Sequence, residues 1–99
     1  MELEHKLLPS QKNSVFKLVQ NNGFQPTEFE WLADRGVGGI AEPLLIHTPS
    51  GYWFRFGVSI GGLHQVVFSP GKESIQAAVN TLSWEEILKY ANVWLGYLK

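Results

Sequence analysis

The sequence predicts an α+β fold: a four-stranded, mainly antiparallel meander sheet with two helices packed on one face. Three observations carry that expectation. Apolar residues recur at helical spacing in two separate stretches, over residues 11–21 and from Trp84 to Leu98. Between them lie short apolar runs punctuated by Pro49-Ser50-Gly51, Ile60-Gly61-Gly62 and Pro70-Gly71-Lys72, each a turn signal. The densest of those runs, Tyr52-Trp53-Phe54-Arg55-Phe56, makes sense only as a strand whose alternate side chains go to opposite faces.

The first helix is expected over 11–21, entered through Leu7-Leu8-Pro9-Ser10 with Ser10 as the cap. Val15, Phe16, Leu18 and Val19 give it one apolar side, and Asn21-Asn22-Gly23 closes it because glycine tolerates the left-handed conformation of a C-terminal cap. Phe29, Trp31 and Ala33 then alternate with Glu30, Leu32 and Asp34, the pattern of a half-buried strand. Gly36-Val37-Gly38-Gly39 reads as a plain connector. A phosphate-cradling loop would need a helix after it, whereas Pro43 and another strand follow. The next three strands are expected at 43–48, 52–58 and 63–69. The segment 73–82 is open, with a helical turn through Ile75 to Val79 as one reading. Ser83-Trp84-Glu85-Glu86 has the spacing of a capping box. The helix it starts carries Trp84, Ile87, Leu88, Ala91, Trp94, Leu95 and Leu98 on an arc of about 120° at 100° per residue.

Ninety-nine residues suit one domain, and such a chain buries roughly 60–65% of its unfolded surface. Six Phe, four Trp and three Tyr supply the bulk of that core. Without cysteine there is no disulfide framework, thiol nucleophile or thiolate metal site. A net charge of −1, with the eight basic residues scattered, argues against a partner held through its phosphate backbone, so no nucleic acid is expected. The start MELEHKLLPSQ has no apolar signal region, and no membrane insertion is expected of this segment. Those features fit a cytoplasmic protein.

Strand parity sorts the aromatic run. Tyr52, Phe54, Phe56 and Val58 form one apolar row, with Val66 and Phe68 as neighbours on one side and Leu44 and Ile46 on the other. That is the expected core face. Trp53, Arg55 and Gly57 share the second face, with His47, Gln65 and Val67 expected beside them. Arg55 stacked over Trp53 would make an ordinary solvent face. The same residue types also dominate protein interfaces, and a base-stacking platform is a third reading that the missing basic surroundings disfavour. Trp53, Arg55 and His47 are therefore interaction candidates. On the last helix Tyr90, Val93 and Tyr97 lie beyond the edge of the core stripe and form a second candidate surface, for self-association or for a protein partner.

Chemistry is sparse. The three histidines show no metal spacing, and His47 and His64 should stand roughly 10 Å apart on strands one removed, at about 4.7–4.9 Å per step. Ser59 or Ser69 with a histidine and Asp34 could compose a hydrolytic set, but no Gly-x-Ser-x-Gly elbow is present. Neither a catalytic residue, a metal nor a cofactor is expected, and the chain is not expected to be an enzyme.

Ser50-Gly51-Tyr52-Trp53-Phe54, Phe68-Ser69-Pro70-Gly71-Lys72-Glu73, Trp84, and Trp94-Leu95-Gly96-Tyr97-Leu98-Lys99 together resemble the small N-terminal α+β modules of uncharacterised bacterial multidomain proteins. The helix near 10–22 and Phe29-Glu30-Trp31 match in character, while Gly36–Ile40 departs from the pattern. The resemblance implies a single domain over 1–99 that is the N-terminal part of a longer protein, and it carries over no catalytic or ligand residue. Two functions follow as expectations: a non-catalytic protein-interaction or sensing module, or a small-ligand or nucleotide-binding regulatory domain. An exposed apolar patch would favour the first, a concave pocket with convergent polar groups the second.

Overall fold

The computed structural model describes residues 3–4, 7–35, 40–59, 62–70, 73–76 and 81–99. In chain order it runs β1 (Leu3–Glu4), α1 (Pro9–Asn21), a 3-10 turn (Pro26–Glu28), β2 (Phe29–Arg35), β3 (Ile40–His47), β4 (Tyr52–Ser59), β5 (Gly62–Ser69), β6 (Glu73–Gln76) and α2 (Trp84–Tyr97). The four long strands β2, β3, β4 and β5 pair antiparallel in that order, which is the expected meander. Two short strands extend it. β6 pairs antiparallel with β5, and β1 pairs parallel with β3 at Leu3–Ile40 and Glu4–Ala41. Both helices lie on one face, where Val15 and Val19 of α1 and Ile87, Ala91, Trp94 and Leu95 of α2 join a single cluster with Phe54, Phe56, Val66 and Phe68.

α1 begins two residues before the expected start, with Leu8 and not Ser10 as its cap. Proline suits the first helical position, since its ring presets φ and its missing N–H would be an orphan there. The Leu8 carbonyl accepts from Gln11 N at 2.9 Å and Lys12 N at 3.0 Å, and the Leu8 N–H donates to Gln11 Oε1 at 2.9 Å. At the other end Gly23, at φ +88°, lets its own N–H reach the Gln20 carbonyl and the Phe24 N–H reach the Val19 carbonyl. That pair of bonds is the Schellman closure foreseen from Asn-Asn-Gly. Asn22 Nδ2 bonds both Leu18 O, at 2.8 Å, and Asn92 Oδ1 on α2, at 3.0 Å, tying the two helices together.

α2 starts as its sequence requires. Ser83 Oγ accepts from Glu86 N at 3.1 Å, while Glu86 Oε1 accepts from Ser83 N at 3.4 Å. Its stripe is the expected one: Ile87, Ala91, Trp94 and Leu95 are buried and Trp84, Leu88 and Leu98 half-buried. The Leu82 N–H bonds the Leu63 carbonyl at 2.9 Å and fixes the helix entry to β5.

The 73–82 segment departs from the helical reading at its start, because Glu73 to Gln76 forms β6 with Ile75 opposite Val66. Residues 77–79, the rest of that expected turn, lie outside the described residues, as do Asn80, the connector 36–39, Ile60-Gly61 and Gly71-Lys72. With β6 the sheet continues past the turn signal at Pro70.

Core parity on β4 is as expected: Phe54 is 1% exposed and Phe56 fully buried. Tyr52, on the same face, sits at the strand's outer end and is 40% exposed. On β3 the faces are inverted relative to the expectation. Leu45 pairs with Phe54 and His47 with Tyr52, so Leu45 and His47 take the core face, and Leu44 and Ile46 join Arg55 and Trp53 on the other. The cause is one residue of loop. The strand ends at His47, Thr48 belongs to a four-residue connection to Gly51, and the Gly51 N–H closes on the His47 carbonyl at 2.8 Å. Because the side-chain period is two, a one-residue change in the turn flips the whole strand.

Gly57 of β4 pairs with Gln65 of β5, beside an irregularity between Gly57 and Val58 that leaves His64 as the extra residue of β5. A Cβ at Gly57 would sit 2.9 Å from Gln65 Cβ and 3.0 Å from its carbonyl oxygen. Backbone, not a flexible side-chain end, would have to yield. Gly57→Ala is expected to destabilise by about 1–3 kcal/mol, as overpacking does. Gly96→Ala on α2, where nothing lies within 4 Å, should instead stabilise by about 0.5–1 kcal/mol. Urea midpoints of the two variants against the wild type would check the opposite signs.

Candidate functional site

The face of the sheet turned away from the helices is built by register. Leu32, Leu44, Arg55 and Val67 stand in one row across β2 to β5, and Glu30, Ile46, Trp53 and Ser69 in the next. Directly opposed side chains on neighbouring strands are within contact reach, so Trp53 is flanked by Ile46 and Ser69, and Arg55 by Leu44 and Val67. Leu32 is exposed, and Leu44, Ile46, Trp53, Arg55 and Val67 are half-buried. The Arg55 guanidinium turns towards Glu42, with Nε 3.8 Å from Oε1. Glu42 is 8% exposed, so this cation faces a largely sheltered carboxylate.

His47 is not part of this face, which corrects its expected place beside Trp53 and Arg55. It is 6% exposed, on the helix side of the sheet. Its ring is 5.4 Å from that of Phe24 and 4.9 Å from that of Phe29, between centroids. Both imidazole nitrogens are engaged. Nδ1 is 2.7 Å from Ser50 Oγ, and Nε2 is 3.2 Å from Glu28 Oε1. Glu28 comes from the 3-10 turn, held opposite the hairpin end by the Thr48 N–H bond to its carbonyl at 2.9 Å and the Phe29–His47 pairing. Ser50 comes from the loop itself, and its Oγ also accepts the Tyr52 N–H at 3.2 Å. An aligned carboxylate, imidazole and hydroxyl thus meet at one end of the sheet.

Sequence reasoning weighed Ser59 and Ser69 and missed this trio. One half of it was legible: His-Thr-Pro-Ser-Gly puts a hydroxyl three residues after a histidine across a tight turn. The other half, Glu28, enters only through the β2–β3 register.

Glu28 carries a carboxyl held below its ordinary value of 4.5, first by the Gln25 N–H bond to Oε2 at 2.8 Å and then by His47, with partial burial opposing. A lowered folded-state pKa gives stability that is complete above the unfolded value and lost as pH falls through the folded one. Wild-type protein is therefore expected to lose stability as pH drops below 4.5, and Glu28→Gln to lose less over the same interval. Thermal melts through that range would show it, and parallel curves for the two proteins would contradict it.

On α2, Val93 and Tyr97 are exposed, while Tyr90 is half-buried against the core with Lys89 Nζ 5.9 Å from its ring centre. The helix edge is thus shorter than its sequence suggests, because Tyr90 is largely used in packing. Among the described residues no three His, Asp or Glu side chains gather in a way that could hold a metal ion. Among the same residues no helix is long and apolar enough to cross a membrane.

Fold and site together define a small α+β domain with helices on one side of a meander and a mixed apolar face on the other. Compared with family models, with characterised proteins and with solved structures, the chain matches none.

Proposed function

We propose that this chain is a protein-interaction module, an accessory domain working in the cytoplasm as part of a larger protein, and that the outer face of its sheet is the contact surface. One observation carries the reading. An antiparallel sheet with one face to water normally alternates apolar-in and polar-out, yet here Leu32, Leu44, Ile46, Trp53 and Val67 all stand on the face without helices. Trp and Arg are the residue types that concentrate binding energy at interfaces, and Trp53 and Arg55 each stand in one of its two cross-strand rows. A partner with an apolar centre and polar margins would complete a second layer on the sheet.

The test is site-directed photo-crosslinking in the native host, with the reactive group placed at Ile46 or, as a control, at Glu85 on the polar side of α2. A discrete adduct from position 46 that is absent from position 85, is lost with Trp53→Glu and is reproduced with the purified partner would support the reading. The same adducts from both positions, or none from 46, would overturn it.

A further inference from the structure

We propose that Ser50 is a base-activated nucleophile, an acyl-acceptor site at the tip of the β3–β4 hairpin, with His47 as its base and Glu28 as the group that fixes the ring. The inference concerns a single covalent transfer and goes beyond the interaction surface on the other face of the sheet.

A serine hydroxyl is a weak nucleophile until an adjacent base can take its proton. The geometry of this hairpin supplies that condition. The Oγ to Nδ1 distance is 2.7 Å, a short hydrogen bond. An ionised Glu28 can only accept, so in the neutral ring the tautomer that satisfies it carries the proton on Nε2 and turns the Nδ1 lone pair to the hydroxyl. The ring is packed against Phe24 and Phe29 and is 6% exposed, which holds its orientation. Ser50 itself is exposed, so an electrophile reaches Oγ without displacing the core. The Tyr52 N–H, donating at 3.2 Å, sets the position of that oxygen. The competing acceptor for the hydroxyl proton, the His47 carbonyl, lies farther away at 3.4 Å.

The substrate class is an activated acyl donor, an aryl ester or thioester. Oγ attacks the carbonyl carbon and the Oγ–C bond forms. The bond to the leaving oxygen or sulfur breaks, and that atom departs with the electron pair. The Oγ proton passes to Nδ1, leaving an imidazolium paired with the Glu28 carboxylate, and from there to the leaving group. The products are the Ser50 ester and a phenol or thiol. The titratable groups facing the ring are Glu28 from the 3-10 turn and Tyr52 across the strand pair, while Phe24 and Phe29 are apolar.

The experiment treats the full chain with p-nitrophenyl acetate near neutral pH and follows acetylation of each serine by peptide mass mapping. Ser10 and Ser83, exposed in the same molecule, serve as internal references. Ser50 is expected to react about 10²–10⁴-fold faster than either, the usual worth of a positioned general base. Glu28→Gln should slow it, and Ser50→Ala should remove the labelled peptide. A Ser50 rate equal to that of Ser10 and Ser83 would overturn the proposal and leave the trio as a hairpin clamp. A folded His47→Gln protein that reacts as fast as wild type would do the same. If His47→Gln fails to fold, the ranking of serines within the wild-type chain decides.

Discussion

Phe56→Ala is expected to cost about 3–5 kcal/mol, the range for truncating a buried Phe. Phe56 is fully buried, with its ring 5.0 Å from Phe54, 5.7 Å from Trp31 and 6.3 Å from Trp84 between centroids. Those neighbours come from β4, β2 and the first turn of α2, so no one of them can move in to fill the void without disturbing another element. Since small domains are stable by only about 5–15 kcal/mol, the variant should lie near the edge of folding. Leu32→Ala, on an exposed position of β2, should stay within about 0.5 kcal/mol. Urea denaturation followed by circular dichroism compares the two. Equal midpoints would mean that the helix side of the sheet is not the core.

Trp94→Ala should be as damaging, at about 3–5 kcal/mol, and for a second reason besides volume. The indole is 1% exposed and stands 5.6 Å from Phe54 and 5.9 Å from Phe29, centroid to centroid. Its Nε1–H donates to the Ser69 carbonyl at 2.8 Å, bonding α2 directly to the end of β5. Trp94→Phe separates the two contributions, because it keeps a ring in the core and deletes the donor. Leaving a carbonyl unsatisfied costs about 1–3 kcal/mol, so Trp94→Phe should fall between wild type and Trp94→Ala. A Trp94→Phe protein as stable as wild type would show that the bond to Ser69 contributes nothing net.

Much of this was legible in the chain itself. Ser83 and Glu86 announced the start of α2 because a capping box is a local contract between residues three apart. Asn22-Gly23 announced the end of α1 for the same reason. The α2 stripe from Trp84 to Leu98 followed from helical periodicity, and the burial of Phe54 and Phe56 from strand parity. Each of these depends on spacing along a few residues, and local spacing is what a sequence records. Leu8 in place of Ser10 as the cap of α1 shows where even local signals compete: proline at the first helical position outweighed a serine one residue later.

What the tertiary structure alone decided turns on the β3–β4 connection. The sequence determined that a turn lies between His47 and Tyr52 and that the strands on either side pair. It did not determine whether Thr48 belongs to the strand or to the loop. That one residue sends Leu45 and His47 into the core and puts Leu44 and Ile46 beside Trp53, so it sets both the apolar outer face and the burial of His47. Glu28 reaches His47 from nineteen positions away only because β2 and β3 pair in one register. The physical reason is common to both. The inward or outward sense of a strand residue depends on the strand's partners across space, and a period of two converts a single-residue shift into a complete exchange of faces.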